Sequence, residues 1–267
     1  MKLKLCDAKS LDIEKTFECG QCFRWNRNDN GVYTGVVGKY LAEVEAVDGE
    51  VYITSDAPAE MWSDYFDLAT DYAAVSADFT GEYLHECVDY GMGIRILRQD
   101  SWEALCSFII SQCNNITRIK GIVERLCEQF GEKCCANGVS YYTFPSAERL
   151  AALEPSDLAG IRSGYRAEYI IAAARAVTQG GLDLDALKTC DYREAIKTLR
   201  QIRGVGEKVA NCVVLFGLYH MEAFPIDVWM KRALKEHFPA DFDPTSLGAY
   251  AGLAQQYIFY YARSGGK

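Results

Sequence analysis

A lysine stands two residues behind a Gly-x-Gly turn, in Ile202-Arg203-Gly204-Val205-Gly206-Glu207-Lys208. Nineteen residues later comes an aspartate, in Phe224-Pro225-Ile226-Asp227-Val228-Trp229. An amine is a nucleophile only when neutral, and an unperturbed lysine holds about one neutral amine in two thousand at pH 7. Partial burial and a helix N-terminus both favour neutral amines, so Lys208 stands where a nucleophile can be made. A surface lysine that touches phosphate would fit the same position. Asp227 precedes a helical stretch reaching His237, where aspartate is an ordinary N-cap. A capping carboxylate is also held rigidly, and beside a reacting carbon it can stabilise developing positive charge and shuttle protons.

These two groups need a scaffold. Asp191-Tyr192-Arg193-Glu194 reads as a capping box opening a helix to about Gln201. Val209 to Phe216 reads as a second, largely apolar helix, which makes the segment helix, tight hairpin, helix. The glycines allow a sharp turn and close backbone approach. Hairpin amides and the second helix's N-terminus, pointing outward together, suit an anionic phosphate. An αα-corner with glycines kept for packing would read the same way.

Upstream, Trp102, Leu105, Cys106, Ile109 and Ile110 share one face at helical spacing, and Ile116, Ile119, Val123, Leu126 and Phe130 share another. Cys113-Asn114-Asn115 lies between them, where Asn can cap the second helix. Leu158 to Val177 suggests a further helix pair around Ser163-Gly164-Tyr165. From about Met61 the pattern is helical, and the second half of the chain is expected to be α throughout. The N-terminal stretch reads as β. Cys22–Arg27 and Val32–Val37 flank Asn28-Asp29-Asn30-Gly31, and Tyr40–Val47 and Val51–Thr54 flank Asp48-Gly49. Asn-Gly and Asp-Gly tolerate the positive φ of tight hairpins.

The chain has 267 residues, 49% hydrophobic, enough for an ample core. No apolar run is long enough to cross a bilayer, and Met1–Asp12 does not read as a signal peptide, so a cytoplasmic protein is expected. Eleven cysteines, an odd number, fit free and mostly buried thiols better than disulfides. Cys19 and Cys22 have zinc-knuckle spacing but lack a second pair of ligands. The net charge of −9 seems to oppose nucleic acid. However, residues 1–90 hold 7 Lys/Arg against 18 Asp/Glu, whereas the remaining 177 hold 21 against 19. The acid is confined to the N-terminal third, and the rest can present a basic face.

In register, these motifs resemble the helix–hairpin–helix DNA glycosylase superfamily. Gly204-Val205-Gly206-x-Lys208-x-Ala210 followed by Asp227 matches its signature, and the lysine marks its bifunctional branch. Within that branch the chain resembles the 8-oxoguanine DNA glycosylases over nearly its whole length. Gly20-Gln21-Cys22-Phe23-Arg24-Trp25, Asp64 to Leu68, Leu97 to Asp100, Ser107-Phe108-Ile109, Asn114-Asn115-Ile116-x-Arg118-Ile119, Gly164-Tyr165-Arg166-Ala167 and Ala254-Gln255-x-x-x-Phe259 follow in family order. The resemblance implies an α+β fold. A small TBP-like antiparallel sheet domain, residues 1–92, would pack on a mostly α-helical HhH-GPD body, residues 93–267, with the hairpin at 202–208.

The resemblance also implies roles. Lys208 would attack C1′ of the damaged nucleotide and form a Schiff base, with Asp227 as its electrostatic and proton-transfer partner. Phe259 and Cys212 would sandwich the flipped purine, Gln255 would bind its Watson–Crick edge, and the Gly20 carbonyl would accept from N7–H. Guanine lacks that hydrogen, and an unpaired buried acceptor costs about 1–3 kcal/mol. Arg118 and Arg166 would hold the orphaned cytosine. Tyr165 would wedge the opposite strand, Asn114 would take over gap-filling, Asn115 would lie with it at the DNA, and Gly204, Val205 and Gly206 would grip the backbone. The implied partner is double-stranded DNA carrying 8-oxoguanine opposite cytosine, with the protein a monomer and no membrane involved. No cofactor or catalytic metal is implied, although the family hairpin can hold a structural monovalent cation. Only Cys212 follows Cys190, so the four closely spaced cysteines of iron–sulfur relatives are missing after the hairpin.

Two positions depart from the pattern. Cys113 stands where the family usually has a first asparagine, and Trp229 where it often has histidine. Singly, each residue also fits a plain structural part: Phe259 and Cys212 as core, Arg118 and Arg166 as solvated arginines, Gln255 as a cap or surface amide. The rival functions are a glycosylase for another damaged purine, such as an alkylated one, and a non-catalytic helix–hairpin–helix DNA-binding module.

Overall fold

The computed structural model describes residues 1–136 and 138–265. Its N-terminal part is a five-stranded antiparallel sheet in the order β1-β5-β4-β3-β2, from β1 (Lys2–Asp7), β2 (Asn26–Arg27), β3 (Tyr33–Val37), β4 (Tyr40–Val47) and β5 (Glu50–Ser55). The Asp-Gly turn behaves as its residues require: Asp48 at φ 53° and Gly49 at φ 80° join β4 to β5. In register, Val44 faces Ile53 and both are fully buried beneath α1 (Ile13–Glu18), whose Phe17 stacks on Trp25 at 4.4 Å.

Two expectations for the sheet need correction. Only Asn26–Arg27 of the expected strand Cys22–Arg27 pairs. Residues 21 to 25 are all buried, and a strand with one wet face cannot bury five successive side chains. The edge strand β1 was not expected, although Lys2-Leu3-Lys4-Leu5 alternates with a period of two. Its lysines pair with Glu45 and Glu50.

The rest is helical. α2 (Ala59–Tyr65) covers the sheet. α3 (Tyr72–Ala77) and α4 (Glu82–Gly91) already contribute Tyr72, Leu84, Cys87 and Val88 to the second core. That core continues through α5 (Ser101–Ile110), α6 (Ile116–Phe130), α7 (Ala147–Ala151), α8 (Arg166–Thr178), α9 (Leu184–Leu187), α10 (Tyr192–Leu199), α11 (Glu207–Phe216), α12 (Val228–His237) and α13 (Ala251–Tyr260). Asp100, Asn115 and Asp191 cap α5, α6 and α10 as their positions imply. The expected Leu158–Val177 helix pair is a 3₁₀ segment, Pro155–Ile161, followed by α8.

The expectation of helix throughout the second half is also corrected. β6 (Lys133–Ala136) and β7 (Val139–Tyr142) form a separate hairpin. Its strands are four residues each, too short for a pattern to register.

The two cores are locked through Gln21, which is fully buried. Its amide nitrogen donates to the Arg95 carbonyl at 2.7 Å, and its oxygen accepts from Leu97 N–H at 2.9 Å. From the other end of the chain, Gln256 donates to the Cys19 carbonyl at 2.8 Å. The loop carrying Gly20 is therefore held against α13. Among the described residues, no helix is long and apolar enough to cross a membrane.

Candidate active site

α11 is the central element. From Val209 to Phe216 every residue is buried, and α5 and α10 pack against it. Gly206 is its N-cap and carries no side chain to satisfy the first-turn amides, which have no partner within a helix. The dipole and these free donors make the N-terminus an anion site.

The two hairpin glycines differ in role. Gly204 has φ +86°, and a Cβ there would fall 2.2 Å from the Tyr169 ring on α8. This position needs both left-handed backbone and close approach. Gly206 has φ −89° with open space around it, so its part is not conformational. Val205 is buried, and its N–H donates inward to the Ile202 carbonyl at 3.0 Å. Of the hairpin amides, that of Val205 is therefore spent within the turn.

Lys208 is the second residue of α11 and is half-buried. Its Nζ lies 3.4 Å from Ser111 Oγ and 5.6 Å from the Phe108 ring centroid. It lines a cavity of about 590 Å³ with Tyr192, Asn211, Phe224 and Lys231. One turn on, Cys212 is buried. Burial pushes its thiol above the ordinary range and nearby Asp227 adds to this, while the Lys208 ammonium opposes it. Asp227 caps α12, accepting from Met230 N–H at 2.9 Å. The capping reading and the site reading apply to the same carboxylate.

α13 meets α11 where Gly252 lets Leu215 approach, since a Cβ on Gly252 would sit 2.3 Å from Leu215 Cδ1. Helical spacing then places Gly252, Gln255 and Phe259 on one face of α13, and Leu215, Cys212 and Lys208 on one face of α11. Gln255 is 4% exposed, and its amide oxygen, fully enclosed, has no hydrogen-bond partner among the described residues. A buried acceptor left open in this way suits a ligand donor. Phe259 lies against Gly20, 3.6 Å from where a Gly20 Cβ would stand, and Gly20 itself has φ +83°. A Cβ at Gly20 would touch the Phe259 ring at ordinary contact distance, so the left-handed backbone is what requires glycine there.

The residues expected at the opposite strand divide. Arg118, at the start of α6, is exposed, with no ion pair among the described residues. Tyr165 is 52% exposed at the start of α8, edge-on to Tyr169. Both present their side chains to solvent.

Arg166 differs from expectation. It is buried, and its guanidinium donates to the carbonyls of Gln112, Ser163 and Cys113, with Nε to Gln112 O at 3.0 Å. These contacts tie the start of α8 to the loop between α5 and α6, so Arg166 positions that loop. Asn114 is also engaged: its amide donates to the Ile110 carbonyl at 3.2 Å and closes the end of α5. Asn115 caps α6. Cys113 is exposed at φ +47°, a conformation that asparagine adopts more readily. Trp229 is 38% exposed beside Asp227, with Arg232 over its ring at 5.6 Å. Sequence reasoning missed Ser111, Tyr169 and Arg263, whose parts depend on tertiary contact.

Two family models divide the chain. That for the 8-oxoguanine DNA glycosylase N-terminal domain matches residues 4–105. That for HhH-GPD superfamily base excision DNA repair proteins matches residues 106–252. A curated N-glycosylase/DNA lyase of Arabidopsis thaliana is 29% identical over 96% of this chain and 78% of its own length. The solved structure of the Clostridium acetobutylicum 8-oxoguanine glycosylase/lyase, bound to double-stranded DNA with cytosine opposite 8-oxoguanine, superposes with a TM-score of 0.90. It is 35% identical, over 100% of this chain and 99% of that one. The structure of MBOgg1 with a low-affinity DNA ligand gives a TM-score of 0.92 at 38% identity, over 100% and 96% of the two chains.

Proposed function

This chain belongs to the HhH-GPD superfamily of base excision DNA repair proteins, in its 8-oxoguanine glycosylase/lyase branch, and we propose on that premise how its residues act. It is a DNA N-glycosylase and lyase that removes 8-oxoguanine opposite cytosine from duplex DNA and nicks the abasic strand. The observation that carries the residue assignment is the half-buried Lys208 amine on the wall of a cavity one helical turn before buried Cys212, with the Asp227 carboxylate fixed as the cap of α12.

The free amides at the start of α11 hold a phosphate of the damaged strand, and the lesion flips out. The purine enters between Cys212 and Phe259. The open oxygen of Gln255 accepts from its Watson–Crick edge, and the Gly20 carbonyl accepts from N7–H. Neutral Lys208 attacks C1′ while the bond from C1′ to the base breaks, and the departing base takes a proton. Asp227 stabilises the cationic sugar and relays protons. Loss of a proton from the nitrogen and opening of the sugar ring leave an imine between Nζ and C1′. Abstraction of a C2′ proton then expels the 3′ phosphate by β-elimination. Arg118 and Tyr165 engage the other strand, while Arg166 holds the loop between α5 and α6.

Borohydride reduction on an 8-oxoguanine:cytosine duplex tests this, because it reduces the imine to a stable crosslink. The native protein crosslinks, and folded Lys208→Gln neither crosslinks nor excises. Full excision by Lys208→Gln would overturn the assignment. Comparing cytosine with the other three opposite bases measures the preference directly.

A further inference from the structure

Arg263 lies just past α13, in a π-helical turn over Tyr261–Gly265. Its Nη2 donates to the Glu18 carbonyl at 2.7 Å. Its Nη1 is fully enclosed, has no hydrogen-bond partner among the described residues, and lies 3.7 Å from where a Gly20 Cβ would stand. The guanidinium carbon is 5.7 Å from the centroid of the Phe259 ring. No carboxylate among the described residues forms an ion pair with it, and Glu18 contributes its backbone oxygen. An enclosed cation donor without an acceptor costs more than a neutral one, because the desolvation of a charged group goes uncompensated.

We infer that Arg263 reads the five-membered-ring edge of the flipped purine beside Gly20, donating from Nη1 to O8. This rests on the base slot proposed above. In 8-oxoguanine, N7–H and C8=O form one side of a cyclic urea, so a donor and an acceptor stand side by side. The Gly20 carbonyl and Arg263 Nη1 offer the complementary acceptor and donor. Guanine presents a lone pair at N7 and a carbon-bound hydrogen at C8, so it mismatches both at once. Arg263 therefore adds a second, independent element of discrimination to the Gly20 contact. It occupies a position that no motif marks, four residues past Phe259, because the tether to Glu18 sets its direction. With Gln255 at the Watson–Crick edge, the purine is held at two opposed edges while Phe259 supports its face.

The test compares Arg263→Met and Arg263→Lys with the native enzyme in single-turnover excision from an 8-oxoguanine:cytosine duplex. A second substrate, a duplex with a preformed abasic site, needs Lys208 but no base contact. Losing a charge-assisted hydrogen bond, Arg263→Met slows excision about 10- to 100-fold and changes abasic nicking less than about twofold. Arg263→Lys keeps part of the excision rate. Excision within twofold of native in Arg263→Met would overturn the inference. Equal slowing on both substrates would also overturn it, since it would mean that Arg263 only holds the Gly20 loop. If the native enzyme nicks abasic DNA but does not excise 8-oxoguanine, the slot itself is misread, and that outcome is separate from either of the others.

Discussion

The ring of Tyr169 lies so close to Gly204 that a methyl group there would meet it at 2.2 Å. The hairpin is therefore seated on α8 by the absence of a side chain. Gly204→Ala is expected to cost roughly 3 kcal/mol, from left-handed strain and displacement of the ring together. Gly206→Ala, at φ −89° in open space, is expected to stay within about 0.5 kcal/mol of native. Urea unfolding of both variants checks this, and equal losses would mean that the contact with Tyr169 does not matter.

Asp227 has two parts that mutation can separate. Asparagine caps helices nearly as well, so Asp227→Asn should keep native stability while excision falls about 100-fold or more. Asp227→Ala should lose about 1 kcal/mol of stability in addition. Melting temperatures and single-turnover rates give both answers. Asp227→Asn with native excision would leave only the cap.

The commitment of Arg166 to Gln112, Cys113 and Ser163 predicts a loss without selectivity. Arg166→Ala should destabilise by roughly 2–3 kcal/mol and slow excision by a similar factor whatever base stands opposite. Rates on four duplexes measure this. A loss confined to cytosine would show instead that the side chain leaves its carbonyls and reads the base.

Glu103 gives stability a particular pH dependence. Burial pushes its carboxyl up to about 6 from 4.5, against the pull of Arg24, whose Nη1 is 3.5 Å away. Between about 4.5 and 6 the folded state binds more protons here than the unfolded state does, so this group's contribution falls as pH rises. The full loss is about 2 kcal/mol, complete above the folded value. Melting curves of the native protein and Glu103→Gln across that window isolate it, since every other group cancels in the difference. Parallel curves would show that the carboxyl titrates normally.

Local chemistry made much of this molecule legible. Asp48-Gly49, Asn115, Asp191 and Asp227 each do what their type and place imply, because turns and caps are settled within four residues. The failures share a different cause. Residues 21 to 25 look like a strand but are buried on both sides, since they pass between two cores that are distant in the chain. Arg166 sits in a recognisable motif, yet two of its partners, Gln112 and Cys113, lie more than fifty residues away. Gln255 and Arg263 have open polar atoms that only an assembled neighbourhood can reveal.

The bare N-cap at Gly206 has a mechanical consequence. The amides that would grip a phosphate and the amine that would attack a sugar belong to one rigid turn, only residues apart. Footing and strike share a single pivot. A shift of one base pair, about 3.4 Å along the duplex axis, would move the grip to the next phosphate and the amine to the next sugar together. Every nucleotide the hairpin grips would thus meet the same amine at the same offset, and what spares an intact one must be decided at the base slot and not at the backbone.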